Sequence, residues 1–262
     1  MPAVQSSAAK AMPAEHGPIQ RTAILLYGSA VYILFFATFL YFIAFVGNFF
    51  VPKSVDVGPA VPLVRALIID LVLVSVFAVQ HTIMARPRFK IWLTKAVPQP
   101  AERSTFVLAA TLALILLMAM WRPIDGVLWD VSGGMLAKVL IGISILGWGV
   151  LLWSTFLINH FDLFGLRQVV LCFRGREYKP VHFTMPVLYR YVRHPMYVGL
   201  FIAIWVTPMM TLGHLVFAGA LTIYTFIGIR FEERELARHH GESYREYQRQ
   251  VSMVIPRLPK KQ

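Results

Sequence analysis

The sequence has few charged residues and almost no cysteine. Charged side chains make up 15% of its 262 residues, well below the roughly 25% that is usual in a soluble domain. A single cysteine, Cys172, excludes an internal disulfide and a cysteine-ligated metal centre. Hydrophobic residues, in contrast, make up 57% of the chain. This composition argues against a water-soluble domain and predicts a protein embedded in a lipid bilayer.

Acidic residues are also scarce, and the formal net charge is +12, from 25 Lys and Arg against 13 Asp and Glu. On a soluble protein, such an excess would suggest a nucleic-acid partner. Here the basic residues lie in segments beside long apolar runs, where they orient helices in a membrane. We therefore expect the lipid bilayer, and no nucleic acid, as a partner, while the oligomeric state stays open.

Four apolar runs are long enough to cross the hydrocarbon core, which takes about 20 helical residues. They are residues 22–46, 63–84, 105–121 and 138–158. A last run, 197–229, is too long for one helix and carries Pro208 and Gly213, so it predicts a helical hairpin that turns near residues 211–214. The predicted fold is all-α: a polytopic transmembrane helical bundle of about five to six spans, with the hairpin as its last two. A cytoplasmic helical segment is expected at the C-terminal end.

Basic residues are distributed unequally between the two sides of this topology. All of the 25 Lys and Arg lie on one side except Lys53, Arg65, Arg122 and Lys138. Because segments rich in Lys and Arg stay on the cytoplasmic side of a membrane, both termini are predicted to lie in the cytoplasm. Residues 1–21 are predicted to form a disordered cytoplasmic tail. Residues 22–262 are predicted to form a single membrane domain.

The segment from Tyr189 to Gly199 reads Tyr-Arg-Tyr-Val-Arg-His-Pro-Met-Tyr-Val-Gly. Pro195 suits the first turn of a helix, where free backbone N–H groups beside Arg193 predict anion binding. Tyr197 lies four residues after Arg193, on the same helical face. Gly199 leaves room for a ligand against the backbone. The spacing also fits a charged residue and an aromatic that mark the membrane interface.

A pair of carboxylates, Glu232 and Glu233, follows the predicted hairpin. If the hairpin returns, these carboxylates reach the cytoplasmic surface, where they can hold a cationic cofactor or bond a ribose diol. A solvated helix with ion pairs four residues apart fits the same pattern. Gly241 predicts the end of this helix. Tyr244 and Tyr247 share one face of a further short helix, a pattern that is more typical of packing than of function.

Taken in order, these motifs resemble the signature of the isoprenylcysteine carboxyl methyltransferase superfamily of integral-membrane methyltransferases. The match comprises Arg193-His194-Pro195-x-Tyr197-x-Gly199, a hairpin, Glu232-Glu233 and Gly241-x-x-Tyr244-x-x-Tyr247. The resemblance implies an enzyme with S-adenosylmethionine as cofactor and S-adenosylhomocysteine as product. It implies a cofactor site at the cytoplasmic membrane face, mainly within residues 159–262. The implied cofactor-binding residues are His182, Thr184, Tyr189, Arg193, His194, Pro195, Tyr197, Gly199, Glu232, Glu233 and Tyr244.

The methyl acceptor is indicated by other segments. Members of the superfamily with protein substrates carry an arginine before the paired glutamates, and Gly228 stands at that place here, with Arg230 out of register. Residues 79–86 and 159–168 instead resemble the bacterial methanethiol S-methyltransferase branch. The implied reaction methylates methanethiol, a small-molecule thiol, to dimethyl sulfide. We accordingly expect the protein in the bacterial inner membrane.

A thiol is only a few per cent ionised at neutral pH, so its methylation benefits from a base or a fixed positive charge. We expect His160 to act as the base and Asp162 to orient it, with Arg167 or Arg193 favouring the thiolate. A polar cluster that caps a helix at the interface fits His160 and Asp162 equally well. No His-x-x-x-His or cysteine pattern accompanies His160, Asp162 and His182, so no metal site is expected.

Several polar residues fall inside the predicted spans. Tyr32 and Tyr41 are interpreted as lipid-facing or packing residues. Gln80 and His81 fit either a substrate path or a hydrogen bond between helices. Asp70 must face protein, because a lipid-facing carboxylate would be costly.

Two other functions stay open. One is methyl transfer to a different acceptor, such as another volatile thiol, a phospholipid amine or a prenylcysteine carboxylate. The other is a non-catalytic membrane assembly factor that kept the fold. Loss of cofactor-binding residues would indicate the latter, and Arg193, His194, Tyr197 and Glu232 are all present.

Overall fold

The computed structural model of the chain describes residues 16–180 and 187–256. Within these ranges the chain is mainly helical. The α-helices are α1 (Pro18–Gly47), α2 (Leu63–Met84), α3 (Pro87–Leu93), α4 (Glu102–Met120), α5 (Met135–Ile158), α6 (His160–Leu163), α7 (Leu166–Phe173), α8 (Pro195–Trp205), α9 (Leu212–His240) and α10 (Glu242–Gln250). The remaining elements are the strands β1 (Val127–Asp130) and β2 (Met209–Thr211) and 3₁₀ turns at Gln99–Ala101 and Val187–Arg190.

Within residues 16–180 and 187–256, five helices are long and apolar enough to cross a membrane: α1, α2, α4 with its preceding 3₁₀ turn, α5 and α9. The predicted polytopic helical fold and its four separate spans are therefore confirmed. Pro18 occupies the first turn of α1, where its missing N–H costs nothing. The first span thus begins at Pro18, before the predicted start at residue 22, so residues 18–21 are helical rather than part of a tail.

A small two-stranded sheet was not predicted from the sequence. Strand β1 pairs antiparallel with β2, with Val127 opposite Thr211 and Asp130 opposite Met209. A register irregularity follows Val127. Each strand is only three or four residues long, and so short a segment has little hydrophobic periodicity to reveal it.

The described residues cluster into two compact units. The first unit comprises residues 16–122 and 159–180, and the second comprises residues 123–158 and 187–256. Each unit therefore combines segments that are distant in the sequence. The single membrane domain that the sequence suggests stays a prediction.

In the first unit, α1 packs against α4 and α7. A Cβ atom added at Gly28 of α1 would lie 2.7 Å from the Val169 side chain of α7, so glycine permits this close approach. Asp70 of α2 is fully buried, and its Oδ1 accepts a hydrogen bond of 2.9 Å from the Arg122 backbone N–H. The prediction that Asp70 faces protein is confirmed.

In the second unit, α5 packs antiparallel against α8. Ser144 of α5 donates a hydrogen bond of 2.9 Å to the Ala203 carbonyl of α8. Further along α5, Gly147 and Leu151 approach Gly199, which lies nearer the start of α8. The two helices are close enough for backbone contact because both carry glycine at the crossing.

The two arms of the predicted hairpin differ in length, with 11 residues in α8 and 29 in α9. A helix of 11 residues covers about 16 Å, roughly half of the hydrocarbon core. Pro208 explains this early end, because it lacks an N–H group and disfavours helix at the residue before it. The turn therefore lies at residues 206–211, slightly before the predicted position.

The extended stretch between α8 and α9 is supported by β1 and the residue after it. Trp129 donates its indole N–H to the Thr207 carbonyl at 3.2 Å, and the Val131 backbone N–H bonds the Pro208 carbonyl at 2.8 Å. Thr211 then caps α9, because its hydroxyl accepts a hydrogen bond from the His214 backbone N–H. The backbone groups that helix would otherwise satisfy are paired here by the sheet and the cap.

Candidate functional site

The chain that follows α10 runs alongside the residues that precede α8. Val192 forms a parallel bridge with Ser252, and the Arg193 backbone N–H donates to the Ser252 carbonyl at 2.8 Å. The His194 N–H donates to the Met253 carbonyl at 3.1 Å. The N–H groups that were predicted to bind an anion belong instead to the first turn of α8, where the Tyr197 and Val198 nitrogens lie 3.1 Å from the His194 carbonyl oxygen. Anion binding at that turn stays a prediction.

Pro195 begins α8 in its first turn, as predicted. Gly199 has a packing role in the structure. A Cβ atom at this position would lie 2.5 Å from the Leu151 backbone nitrogen and 2.7 Å from the Gly147 carbonyl oxygen of α5. The close approach of α5 therefore requires glycine here, and a cofactor contact at Gly199 stays a prediction.

Glu233 is the centre of a buried polar network. Its Oε1 accepts hydrogen bonds from Arg193 Nε at 2.7 Å and from His194 Nε2 at 3.0 Å, and its Oε2 accepts from the Gln248 side chain at 3.0 Å. Arg193 also donates through Nη1 to the carbonyls of Gln248 and Val251. The Arg193 and Glu233 side chains are only 9% and 11% exposed. Arg193 thus joins the start of α8 to α9 and to the C-terminal segment, and its role of favouring a thiolate stays a prediction.

Glu232 has different neighbours from Glu233, although both carboxylates are buried. The Tyr197 hydroxyl lies close to the Glu232 carboxylate. Burial is the main reason that the pKa of Tyr189 lies well above its usual range, and the charge of the Glu232 carboxylate raises it further. Burial likewise raises the pKa of Tyr244, and the negative charges of Glu233 and Glu232 raise it further. We call Glu232, Tyr189, Tyr197 and Tyr244 the carboxylate–tyrosine cluster.

Tyr247 was interpreted from the sequence as a packing residue, and it also fixes the position of Tyr189. Its hydroxyl donates to the Tyr189 carbonyl at 2.7 Å, while its ring lies 5.8 Å from the Tyr244 ring. Each of these tyrosines comes from a different turn or helix than Glu232. Their common position could not be read from spacing alone.

The carboxylate–tyrosine cluster has the chemistry to hold a nucleoside that carries a positive charge. A buried carboxylate can accept hydrogen bonds from both hydroxyls of a ribose, and it favours a nearby cation. Aromatic faces can stack on a base and attract a cation. Of the other predicted cofactor-binding residues, His182 and Thr184 lie outside the described residues.

His160 belongs to the first unit, where its side chain is almost completely enclosed. The residue is 2% exposed, and its Nε2 lies 2.8 Å from the Tyr32 hydroxyl oxygen of α1. The rings of Phe161 and Phe164 lie 5.3 and 4.8 Å from the imidazole. Burial lowers the pKa of His160 below its ordinary value. The imidazole is therefore held neutral at physiological pH, the state that a base requires.

Tyr32 was interpreted from the sequence as lipid-facing or packing, and its ring does pack against other rings, but its hydroxyl also makes a polar contact. Its ring lies edge-on to the His160 ring, and its hydroxyl makes the hydrogen bond just described. Tyr41 likewise donates its hydroxyl to the Lys53 carbonyl at 3.2 Å. No sequence pattern distinguishes such tyrosines from those that face lipid.

Asp162, the predicted orienting group for His160, binds other partners. Its Oδ1 accepts from Arg167 Nη1 at 2.8 Å, and its Oδ2 accepts from the Tyr178 hydroxyl at 3.2 Å. Side chains two residues apart on a helix do not face each other, so Tyr32 orients the imidazole and Asp162 orders the following loop. Arg167, the other predicted cation, is matched by the Asp162 carboxylate.

Burial, then the Asp162 charge, raises the pKa of Tyr178 to about 12. Tyr178 therefore stays protonated and donates to Asp162 throughout the physiological range. The Arg167 guanidinium also lies 5.2 Å from the centre of the Tyr178 ring. These contacts form a fixed support beside the short helix that carries His160.

The backbone just before His160 is strained. Asn159 has a φ angle of 153°, in the region that favours glycine, and its side-chain oxygen accepts a hydrogen bond of 3.1 Å from the Asp162 backbone N–H. Arg103 of α4 donates to the Leu163 carbonyl at 2.7 Å and so holds the other end of α6. Strain of this kind persists only where surrounding contacts impose it, and such residues cluster at functional sites.

The polar residues of α2 have local partners. Gln80 contacts the Met84 sulfur of its own helix at 3.0 Å. The His81 ring packs edge-on to the Phe106 ring of α4, with 4.9 Å between the ring centres. Neither contact distinguishes a substrate path from helix packing.

These features define a polytopic helical membrane protein with a buried ionic network, a carboxylate–tyrosine cluster and an enclosed neutral histidine. A family model described as NnrU protein matches residues 69–257, and the chain belongs to this family.

Relatives with curated names match most of the chain. The methanethiol S-methyltransferase of Crocosphaera subtropica is 49% identical over 93% of this chain and 95% of its own length. Methanethiol S-methyltransferase 1 of Bradyrhizobium diazoefficiens is 50% identical over 88% of this chain and 81% of its own length. The methanethiol S-methyltransferase of Mycobacterium tuberculosis is 48% identical over 91% of this chain and 98% of its own length. No solved structure matches the chain. The resemblance to this branch that the sequence predicted is confirmed.

Proposed function

We propose that this protein is an integral-membrane methyltransferase that transfers the methyl group of S-adenosylmethionine to methanethiol. The products are dimethyl sulfide and S-adenosylhomocysteine. The observation that carries the proposal is the identity of 48–50% over 88–93% of the chain to relatives named methanethiol S-methyltransferase. The carboxylate–tyrosine cluster and the neutral His160 support it with suitable chemistry.

In this proposal the carboxylate–tyrosine cluster holds S-adenosylmethionine, which supplies an electrophilic methyl group on a sulfonium. Glu232 accepts hydrogen bonds from the ribose or balances positive charge, and the tyrosine rings pack on the adenine and the cation. Glu233, Arg193 and His194 position the cluster by fixing the start of α8. Residues 181–184, which include His182 and Thr184, are proposed to add contacts from the preceding loop.

The protein's second task is to prepare the thiol. Methyl transfer is an in-line displacement, so the chain has to align the thiol sulfur, exclude water and remove a proton. We assign the proton to His160, because a neutral imidazole can accept it. The aromatic rings around His160 provide an apolar environment that suits a small uncharged thiol. Arg167 and Asp162 act by holding the segment that carries His160.

The proposed location is the bacterial inner membrane, with both termini in the cytoplasm. Strand β2 pairs with β1, which precedes α5, and α8 runs antiparallel to α5. Residues 195–211 therefore run alongside α5 from Leu151 towards its start, as a short helix followed by an extended strand. We propose that they cross the membrane once, which makes six crossings with the five long helices of the described residues and returns the C-terminal segment to the side of the N-terminus.

The function is tested by headspace gas chromatography of the purified, detergent-solubilised protein with S-adenosylmethionine and methanethiol. Glu232→Gln removes the negative charge of the side chain that is proposed to bind the ribose, with almost no change of shape. Glu242→Gln is the matched control, because Glu242 is an exposed carboxylate on α10 whose side chain is 65% accessible. We expect dimethyl sulfide from the wild type and the control, and little from Glu232→Gln.

Protein that binds S-adenosylmethionine but forms no dimethyl sulfide would overturn methanethiol as the acceptor. Ethanethiol, hydrogen sulfide and a prenylcysteine, each given separately, would then identify another acceptor. Protein that binds no S-adenosylmethionine would overturn the methyltransferase proposal itself.

A further inference from the structure

We propose that Tyr32 is a catalytic residue that passes the thiol proton to His160. This inference rests on the proposed function and adds a residue to it. No sequence pattern assigns Tyr32 a role in the reaction, since it lies 128 residues before His160. The geometry that supports it lies entirely within the first unit.

The accessibility of the two side chains differs. His160 is buried, whereas Tyr32 is only half-buried. The Tyr32 hydroxyl lies 2.8 Å from Nε2, so it occupies the direction from which a proton would reach that nitrogen. A small thiol therefore meets the Tyr32 oxygen first, and His160 receives its proton through that oxygen.

The proposed step conserves atoms and charge. The Tyr32 hydroxyl donates its hydrogen bond to Nε2, which requires the neutral tautomer of His160 with its proton on Nδ1. The thiol S–H bond breaks and a new O–H bond forms on Tyr32, while the original Tyr32 O–H bond breaks and an N–H bond forms on His160. The products of this step are a thiolate, a neutral tyrosine and an imidazolium. The thiolate then forms a bond to the methyl carbon, and the electron pair of the broken C–S bond stays on the sulfur of S-adenosylhomocysteine.

Other ionisable groups belong to the elements packed around this pair. Asp162, Arg167 and Tyr178 follow His160 in the chain, and Arg103 donates from α4 to the α6 carbonyl of Leu163. His81 of α2 packs on Phe106 of that same α4 helix. The arginines keep their charge over the working range, and Asp162 is paired with Arg167. We therefore assign the pH dependence of kcat/KM to the thiol and to His160.

The test replaces Tyr32 by phenylalanine and uses Tyr27→Phe as the control. Tyr27 lies on the same helix and bonds Thr105 of α4 with a hydroxyl distance of 3.0 Å. Both substitutions thus remove one hydroxyl and one contact that α1 makes through it. Of these two tyrosines, Tyr32 is the one that contacts His160. A general weakening of α1 would therefore affect both variants alike, whereas loss of the proton relay would affect Tyr32→Phe alone.

For Tyr32→Phe we expect kcat at pH 7 to fall by about 100-fold or more, as is usual when general acid–base catalysis is lost. Affinity for S-adenosylmethionine and thermal stability should match those of Tyr27→Phe. Because the variant depends on thiolate formed in solution, its kcat/KM should rise about tenfold per pH unit up to the pKa of the thiol. The wild-type kcat/KM should stay flat over the same range.

Methaneselenol provides a second readout. A selenol is already ionised at neutral pH and needs no proton acceptor, so Tyr32→Phe and the wild type should methylate it at similar rates. Tyr32→Phe with the activity of Tyr27→Phe towards methanethiol would overturn the relay while leaving the proposed function intact. Equal loss of selenol and thiol methylation would assign Tyr32 a structural role and also overturn the relay. Wild-type protein that forms no dimethyl sulfide would overturn the proposed function and the relay with it.

Discussion

Removal of the Glu233 carboxylate should destabilise the protein more than any other single loss of charge in the second unit. Glu233→Ala removes the acceptor of three side-chain hydrogen bonds, from Arg193, His194 and Gln248. It leaves the Arg193 guanidinium buried without its anion, since the two side chains are only 9% and 11% exposed. Breaking such a pair from one side costs about 3–5 kcal/mol.

The lower end of this range is expected, because Arg193 keeps its contacts with the Gln248 and Val251 carbonyls. For a chain of this size, about 3 kcal/mol corresponds to a decrease in Tm of about 6–12 °C. The assay is thermal unfolding of the detergent-solubilised protein, with Glu242→Ala as the control for loss of an exposed carboxylate.

A double-mutant cycle separates the buried ion pair from a general effect of losing either side chain. Arg193→Met combined with Glu233→Met replaces both charges by apolar groups, and this is often tolerated when a one-sided loss is not. We expect the double variant to be more stable than the sum of the single variants predicts, by about 1–3 kcal/mol. Additive losses, or a Glu233→Ala decrease no larger than that of Glu242→Ala, would refute the assignment of Glu233 as the centre of the network.

Three further predictions concern the two clusters and the helix crossing. Glu232→Gln should weaken S-adenosylmethionine binding by about 10- to 100-fold, the value of one or more hydrogen bonds to a charged group; calorimetric titration measures it, and unchanged affinity would place the cofactor elsewhere. Gly199→Ala should lower Tm and the yield of folded protein, because the new Cβ atom would lie 2.5 Å from a backbone nitrogen of α5, whereas Gly149→Ala, with nothing within 4 Å, should not. Because burial lowers the pKa of His160 below its ordinary value of 6.5, its neutral form persists as the pH falls through 6.5, and activity should be lost only at lower pH. Below pH 6.5 the unfolded chain binds a proton that the folded chain does not, so the histidine also reduces stability there. A loss of kcat/KM centred at or above pH 6.5 would contradict this.

The spans could be predicted because crossing a bilayer places a strong demand on length and hydrophobicity. Residues 63–84, for example, match the limits of α2. The first arm of the hairpin was harder, since the apolar run continues through residues 206–211, where Pro208 ends the helix and β1 supplies backbone partners. Hydropathy reports whether a segment prefers lipid, but it does not report whether its backbone is helical or paired with a distant strand.

The candidate site could be predicted only in part, because a sequence does not show which of two adjacent residues of the same type binds which partner. Glu232 and Glu233 were predicted together, but the structure directs Glu233 to Arg193 and Glu232 to Tyr197. His160 was recognised as a candidate base, whereas its partner was assigned to Asp162 on the grounds of proximity in the chain. Tyr32 comes from a different span, and a tyrosine in an apolar run gives no indication of a contact so far along the chain.

Methyl transfer from S-adenosylmethionine to methanethiol can be followed through the methyl group itself. The purified protein is given methanethiol and S-adenosylmethionine with a fully deuterated methyl group, and the headspace is analysed by mass spectrometry. We expect enzyme-dependent dimethyl sulfide that carries all three deuterium atoms, with little of it from Glu232→Gln. Unlabelled dimethyl sulfide, or labelled product formed equally without the protein, would contradict it.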